Sequence, residues 1–355
     1  DRFNPVEFND TFFLNESELD SFVSNCDVII HLAAINRHSN LDVLYETNIE
    51  LVRKIIDSCE RTKSRPHILF SSSTQEDRDN HYGRSKVQGR LLFEEWAKKN
   101  NSCFTGLIIP NVYGPFGNPY YNSVVATFCY QLTNNEVPKI DIDSNLQLIY
   151  IGELVEEIIK NIELVNINSS KNISIVQQLI IQHTSEVKVS ELLEKLSVFK
   201  NNYFERGVIP NLNIPFNRNL FNTLLCYINH DNFFPFKLEM KTDERGSFVE
   251  TIKLNSGGQV SFSSTKQGVT RGNHYHTRKA ERFAIIKGNA KIEIRRIGTN
   301  NKSTFYLSGD QPSFVDMPIW YTHNITNIGN EDLYTLFWIS EHYNPEDPDT
   351  YFENV

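Results

Sequence analysis

The chain has 355 residues, 39% of them hydrophobic, which is more than one core usually serves, so two domains are expected. A formal net charge of -9 and the lack of any Lys/Arg run argue against a polyanionic partner, which sets nucleic acid aside. The five cysteines are widely spaced with no C-x-x-C pair, the start lacks a signal-peptide order, and no apolar stretch approaches the ~20 residues of a membrane span; a soluble, cytoplasmic protein with reduced thiols and no membrane partner is expected.

In chain order, residues 5–8 read as a strand, and apolar runs follow at 27–32, 67–70 and 104–109. Between them, Leu44, Ile49, Val52 and Ile55, and then the stretch 87–96, carry helical spacing. Continuous apolar strands alternating with amphipathic helices predict a Rossmann-like parallel sheet covered on both faces. No G-x-x-G-x-x-G occurs near the start, although in such a sheet a central first strand and its glycine loop cradle the pyrophosphate. The sheet is therefore expected to be N-terminally incomplete, by roughly one strand and one helix of the usual plan. Residues 151–236 read as a variable substrate cap. After Met240 the texture changes to short alternating strands punctuated by glycine, which predicts an all-β barrel. The expected domains are 1–235 and 240–355.

Tyr82 and Lys86, four residues apart, share a helix face, where the cation lowers the phenol pKa and makes it a better proton donor. Such a pair is often only a solvated helix face. Here it follows Ser71-Ser72-Ser73 at a strand end, where a hydroxyl can hold a carbonyl. Together with His31-Leu32-Ala33-Ala34, Asn48 and Pro110-Asn111-Val112-Tyr113-Gly114-Pro115, these residues resemble the extended short-chain dehydrogenase/reductase family. The resemblance implies that Tyr82 protonates a carbonyl oxygen with Ser73 assisting, and that Lys86 holds the nicotinamide ribose. It also places His31, Leu32, Ala33, Pro110 and Asn111 at the cofactor, with Asn111 at the substrate as well. The Ser-to-Tyr spacing is shorter than in most members. NADPH is the implied cofactor; Asp10, at the end of the expected first run, favours NADH as the alternative.

Gly268, His274, His276, Glu281 and Gly288 fit the spacing G-x5-H-x-H-x4-E-x6-G. Two His at i and i+2 on a strand point the same way, and Glu281 and His323 from neighbouring strands complete a ligand set for Zn, Fe, Mn or Ni, zinc above all. The string resembles the first cupin motif. Pro318, His323 and Asn327 resemble the second, with Trp320 where that motif has Gly. Asp243 to Phe248, Gly268 to His274 and Tyr343 to Asp347 are similar to the dTDP-4-dehydrorhamnose 3,5-epimerases. That similarity implies that His274 is a base beside a sugar ketone and that Arg245, with Arg271, binds the nucleotide. Where those epimerases carry a Gln, a Lys and a Tyr, this chain has His276, Glu281 and Phe337. The first two changes move toward metal ligands, and the third leaves Tyr343 as a candidate proton donor. A coordinated nitrogen has no lone pair for a proton, so His274 is either ligand or base in the working state.

The order of the two parts resembles a family of capsular polysaccharide enzymes along nearly the whole chain. That resemblance implies a homodimer acting on a UDP-sugar: C3 epimerisation of a UDP-4-keto-6-deoxy-N-acetylhexosamine in the cupin, then NADPH-dependent reduction at C4, toward UDP-N-acetyl-L-fucosamine. Two other readings stand beside it: a metal-cupin epimerase or isomerase with an inactive reductase part, and a non-catalytic sugar-nucleotide-binding protein. The chemistry of the cupin is expected to be separable at about Met240.

Overall fold

The computed structural model describes residues 3–169, 174–244 and 246–355 and divides into two compact units, Asp1–Val112 with Leu146–Glu186, and Tyr113–Asn145 with Val187–Val355. In the first unit, β1 (Val28–His31), β2 (His67–Ser73), β3 (Phe104–Ile109) and β4 (Val176–Ile180) lie side by side in that order, all parallel. β2 sets the layering. Its Ile68 and Phe70 enter one apolar cluster with Val52, Ile55, Phe93 and Trp96, from α1 (Leu41–Thr62) and α2 (His81–Asn100). Leu69 joins Leu107 and, from α3 (Ile151–Ser169), Ile158 and Ile162. Successive strand residues face opposite ways, so the apolar run Ile68–Phe70 has to be covered on both faces. Asn40 and Asn80 start α1 and α2 by accepting free amides of the first turn.

Residues 5–8 form no strand. Phe8 instead packs edge-on against Phe12, Phe13 and Phe22, at centroid distances of 5.4, 5.0 and 5.0 Å, and Asn9 caps the 3-10 turn Asp10–Leu14. Asp10 opens that turn rather than closing a strand. Burial of aromatic rings outweighs β propensity at a segment that has no strand partner among the described residues.

The second unit contains β5 (Phe236–Lys237), β6 (Gln259–Thr265), β7 (Thr270–Tyr275), β8 (Glu281–Lys287), β9 (Asn289–Arg296), β10 (Lys302–Ser308), β11 (Ser313–Met317), β12 (Tyr321–Asn327), β13 (Leu333–Ile339) and β14 (Tyr351–Phe352). They make two antiparallel sheets, ordered β6-β13-β8-β11-β5 and β10-β9-β12-β7-β14. Phe283, Ile285, Ile292, Ile294, Phe314, Val315, Ile325 and Leu333 fill the core.

The compact units do not divide between 235 and 240, where the change of texture placed the boundary. Helices α4 (Val189–Arg206) and α5 (Pro215–Leu225) belong with the barrel. The physical reason is a buried ion pair. Arg282, 1% exposed, grips Asp316 at 2.7 and 2.8 Å, donates to Gly207 O at 2.9 Å and lies 3.5 Å over the Phe314 ring. Tyr203, on α4, donates its hydroxyl to the same carboxylate at 2.5 Å. The barrel's own charge pair therefore takes two of its hydrogen bonds from residues before 235. All five cysteines are free, and among the described residues no helix is long and apolar enough to cross a membrane.

Candidate functional site

Each unit carries one cluster of chemical groups. In the first, β2 ends on three serines. Ser71 donates to His31 O at 3.1 Å, Ser72 donates to the Glu76 carboxylate, and Ser73 accepts the Gln75 amide at 3.1 Å, capping the turn Thr74–Asp77. Gly83 is required by a close approach: a Cβ there would stand 2.4 Å from Gln75 O and 2.8 Å from Arg78 O. The missing side chain lets the turn lie against the start of α2, which closes the short connection from Ser73 to Tyr82.

Lys86 is 4% exposed. It donates to Ser71 O at 2.8 Å, and its ammonium stands 5.1 Å from the Phe70 ring and 5.6 Å from the Tyr82 ring. Burial lowers its pKa to about 8, against the pull of Glu76. The expected pairing of Tyr82 with Lys86 on one helix face is present, with the charge beside the phenol ring. Asn48 ties this face to the segment after β1: it binds Ile35 through both main-chain groups, at 2.8 and 3.1 Å, and Ser85 at 3.1 Å.

His31 is 4% exposed, with its ring against Phe70 and Phe93. Burial, then the Lys86 charge, lowers its pKa to about 3, so the ring is neutral. What this strand end offers to a solute is Leu32, 63% exposed, and the half-buried Ala33. Pro110 is buried and Asn111 exposed just past β3. Sequence reasoning missed Glu76 and Arg90. Arg90 grips Glu76 at 3.0 and 2.9 Å, holding the carboxylate that binds Ser72. A Glu and an Arg 14 residues apart, on a turn and a helix, leave no periodic trace.

In the second unit, β7 with the residue that follows it, β8 and β12 bring His274, His276, Glu281 and His323 together, with their ligand atoms all within 4.8 Å of one another. Nε2 of His276 and of His323 each lie 3.2 Å from a Glu281 oxygen, and Nε2 of His274 lies 4.0 Å away. His276 Nδ1 is 2.5 Å from Asp349 O and His323 Nδ1 is 3.1 Å from Tyr321 O. A carbonyl only accepts, so both Nδ1 atoms carry a hydrogen, and both Nε2 atoms are turned to the carboxylate. His276 Nε2 is buried and out of hydrogen-bonding alignment. Three imidazole nitrogens gathered about one carboxylate, with two of the rings oriented by main-chain carbonyls, are a donor set that fits a divalent ion. His276 and His323 have side chains 2% and 0% exposed, whereas that of His274 is 26% exposed and forms the rim. Burial, then His323, lowers the His274 pKa to about 4.

Arg271 reaches the same face through a bulge. Arg271 stands opposite Ile325 and His274 opposite His323, with the register shift between Gly272 and His274. Directly opposed residues share a face, and Ile325 and His323 are two apart on β12, so Arg271 and His274 share theirs. Its guanidinium donates to Thr265 Oγ1 at 3.0 Å and Ser264 O at 3.1 Å. Trp320 keeps the backbone of the glycine it replaces, with φ +63°, and stacks on Tyr275. Phe337 packs edge-on against Phe283, and Tyr343 is 58% exposed. Arg245 lies outside the described residues.

A parallel sheet with a Tyr–Lys helix and a barrel with a three-histidine, one-glutamate cluster define a two-part enzyme scaffold. Residues 2–175 match the NAD dependent epimerase/dehydratase family, and residues 241–351 match the Polysaccharide biosynthesis C-terminal domain. A UDP-2-acetamido-2,6-beta-L-arabino-hexul-4-ose reductase of Pseudomonas aeruginosa is 30% identical over 94% of this chain and 87% of that protein. The crystal structure of the capsular polysaccharide assembling protein CapF from Staphylococcus aureus is similar at 35% identity and a TM-score of 0.57, over 96% of this chain and 90% of that one. The spore coat polysaccharide biosynthesis protein SpsL of Bacillus subtilis is 26% identical over 32% of this chain and 82% of its own length. The chain belongs to the CapF family of sugar-nucleotide enzymes.

Proposed function

We propose that the chain is a bifunctional sugar-nucleotide enzyme. Its barrel inverts C3 of a UDP-4-keto-6-deoxy-N-acetylhexosamine, and its parallel-sheet unit then reduces C4 with NADPH, toward UDP-N-acetyl-L-fucosamine for a surface polysaccharide. The observation that carries this is one chain holding both the Tyr82–Lys86 pair and the His/Glu cluster, with 30% identity to a UDP-sugar reductase over 94% of its length.

In the barrel, the proton at C3 is acidic because the neighbouring ketone takes up the charge. A base is needed that a solute can reach, and the partly exposed His274 is the ring that meets that condition. We therefore assign His274 the removal of the C3 proton, with a solvent-derived proton returning to C3 from the opposite face, and His276, Glu281 and His323 a zinc-type ion. When bound, that ion supplies positive charge near the developing oxyanion. Arg271, on the His274 face, and Arg245 suit the anionic nucleotide.

At the sheet, the C-terminal ends of parallel strands are where nucleotides bind, and Leu32, Ala33 and Asn111 stand there. NADPH, when bound, supplies the hydride that reaches C4. The Tyr82 hydroxyl gives its proton to the C4 oxygen, helped by the Lys86 charge beside its ring.

Solvent deuterium uptake at C3 and NADPH consumption on the keto sugar separate the two activities. Tyr82→Phe is expected to lower reduction by at least ~100-fold while leaving C3 exchange in place. Near wild-type reduction in that variant overturns the assignment. Elemental analysis should show the ion retained in His274→Ala and lost in the His276→Ala, Glu281→Ala double variant.

A further inference from the structure

Asp349 is 2% exposed and has φ +40°, in the left-handed region where a residue other than glycine stays only if its surroundings hold it. Its carboxylate is fully engaged. Oδ1 accepts the Thr277 amide at 3.0 Å and the Thr277 hydroxyl at 2.7 Å, while Oδ2 accepts the amides of Arg278 and Lys279, both at 3.1 Å. Three successive amides on one carboxylate gather the loop that runs from His276 to Glu281. The main-chain carbonyl of the same residue accepts His276 Nδ1 at 2.5 Å. One residue thus holds both a cage ligand and the loop that leads to the next.

Asp349 is itself pinned on both sides. Lys279 Nζ donates to Pro348 O at 2.8 Å and to Thr350 Oγ1 at 3.3 Å, and Arg278 pairs with Asp347 at 2.8 Å. Beyond it, β14 pairs with β7 at His274 and Tyr275, Tyr351 stacks on Tyr275, and Glu353 N donates to Asn273 O at 3.0 Å.

We propose that Asp349 is the positioning residue of the cage. It engages the Nδ1 hydrogen of His276, so that Nε2 is the nitrogen turned toward Glu281 and an ion, and it sets the loop 277–280 between these two side chains. An imidazole held in this way has a single nitrogen to offer an ion, already aimed. The functional consequence rests on the divalent-ion reading above; the geometry does not.

The test uses the full chain with Asp349→Ala and Asp349→Asn. Imidazole nitrogen NMR of the metal-free protein reports the His276 Nδ1 contact, competition with a chelating dye reports zinc and cobalt affinity, and circular dichroism reports folding. Wild type should show a hydrogen held on Nδ1, in its bond to the Asp349 carbonyl. Asp349→Ala keeps the carbonyl that accepts His276 Nδ1 but removes the carboxylate that fixes where that carbonyl and the loop 277–279 stand, so the Nδ1 contact should slip and zinc binding weaken by ~10–100-fold, the scale seen when the outer contact of a ligating histidine is disturbed. Asp349→Asn keeps one acceptor for Thr277 but turns an NH2 group toward the amides of Arg278 and Lys279, so an intermediate loss is expected. It carries the test if the alanine variant does not fold. A folded variant with the wild-type Nδ1 contact and wild-type affinity overturns the proposal. If wild type takes up neither zinc nor cobalt, the ion reading fails, and the Nδ1 contact alone decides: a displaced contact in the variants upholds the role of Asp349, and an unchanged one overturns it.

Discussion

The two units bury charge in opposite ways. In the barrel unit, Arg282 and Asp316 are both interior, and every polar edge of the pair meets a partner: two parallel contacts, a carbonyl and a tyrosine hydroxyl. In the sheet unit, Lys86 is buried with a main-chain carbonyl and aromatic faces around it, and burial pulls its pKa down to about 8. A satisfied interior pair is an architectural joint. A half-satisfied interior cation is a group kept at a cost, and such groups gather where chemistry is done.

The largest effect should come from breaking the joint. Asp316→Ala leaves the Arg282 charge buried without its counter-ion, and a loss of ~3–5 kcal/mol in urea unfolding is expected. A loss under ~1 kcal/mol would mean that water reaches the arginine and that the joint is not a joint. A fragment starting at Met240 keeps the Arg282–Asp316 pair but loses the Tyr203 and Gly207 contacts, so it is expected to unfold at lower urea than the full chain.

Lys86 sharpens the other side of the comparison through pH. Below about pH 8 the ammonium is charged both folded and unfolded, and its burial destabilises the protein in full. Between about pH 8 and the ordinary lysine value of 10.5 the folded protein gives up the proton while the unfolded chain still holds it, so stability is regained as pH rises. Relative to Lys86→Met, the wild type should gain up to about 3 kcal/mol across that window. A pH-independent difference between the two proteins would show that the charge is not desolvated. Smaller again is Gly83→Ala, whose new methyl meets backbone oxygens of the turn. A cost of ~1–3 kcal/mol is expected, with reduction falling as the Ser73 turn moves.

How much of this was legible in the sequence varies with distance along the chain. The parallel sheet was legible because the run Ile68–Phe70 in β2 is apolar at every step, and the pairing of His274 with His276 because residues two apart in extended chain share a face, with Glu281 at the motif's spacing behind them. The strand at 5–8 was misread because its apolar content serves a ring cluster instead of a ladder. The union of α4 with the barrel rests on Tyr203 and Asp316, 113 residues apart, and Asp349 lies 73 residues beyond the histidine it holds; neither pairing has a local signature. Arg271 was expected near the nucleotide from family resemblance, whereas its odd spacing from His274 points away from a shared face until the bulge is seen.

That bulge works like a frameshift written into a strand. Ahead of it, side chains keep one phase of in and out; behind it, the phase is reversed, and Asn273 at φ +58° absorbs the slip. The slip brings Arg271 and His274, three residues apart, onto one face. Grafting the His-x-His string onto a regular strand of another barrel would carry over the ligands and leave Arg271 facing the wrong way. The transplantable unit is the string together with its slipped residue.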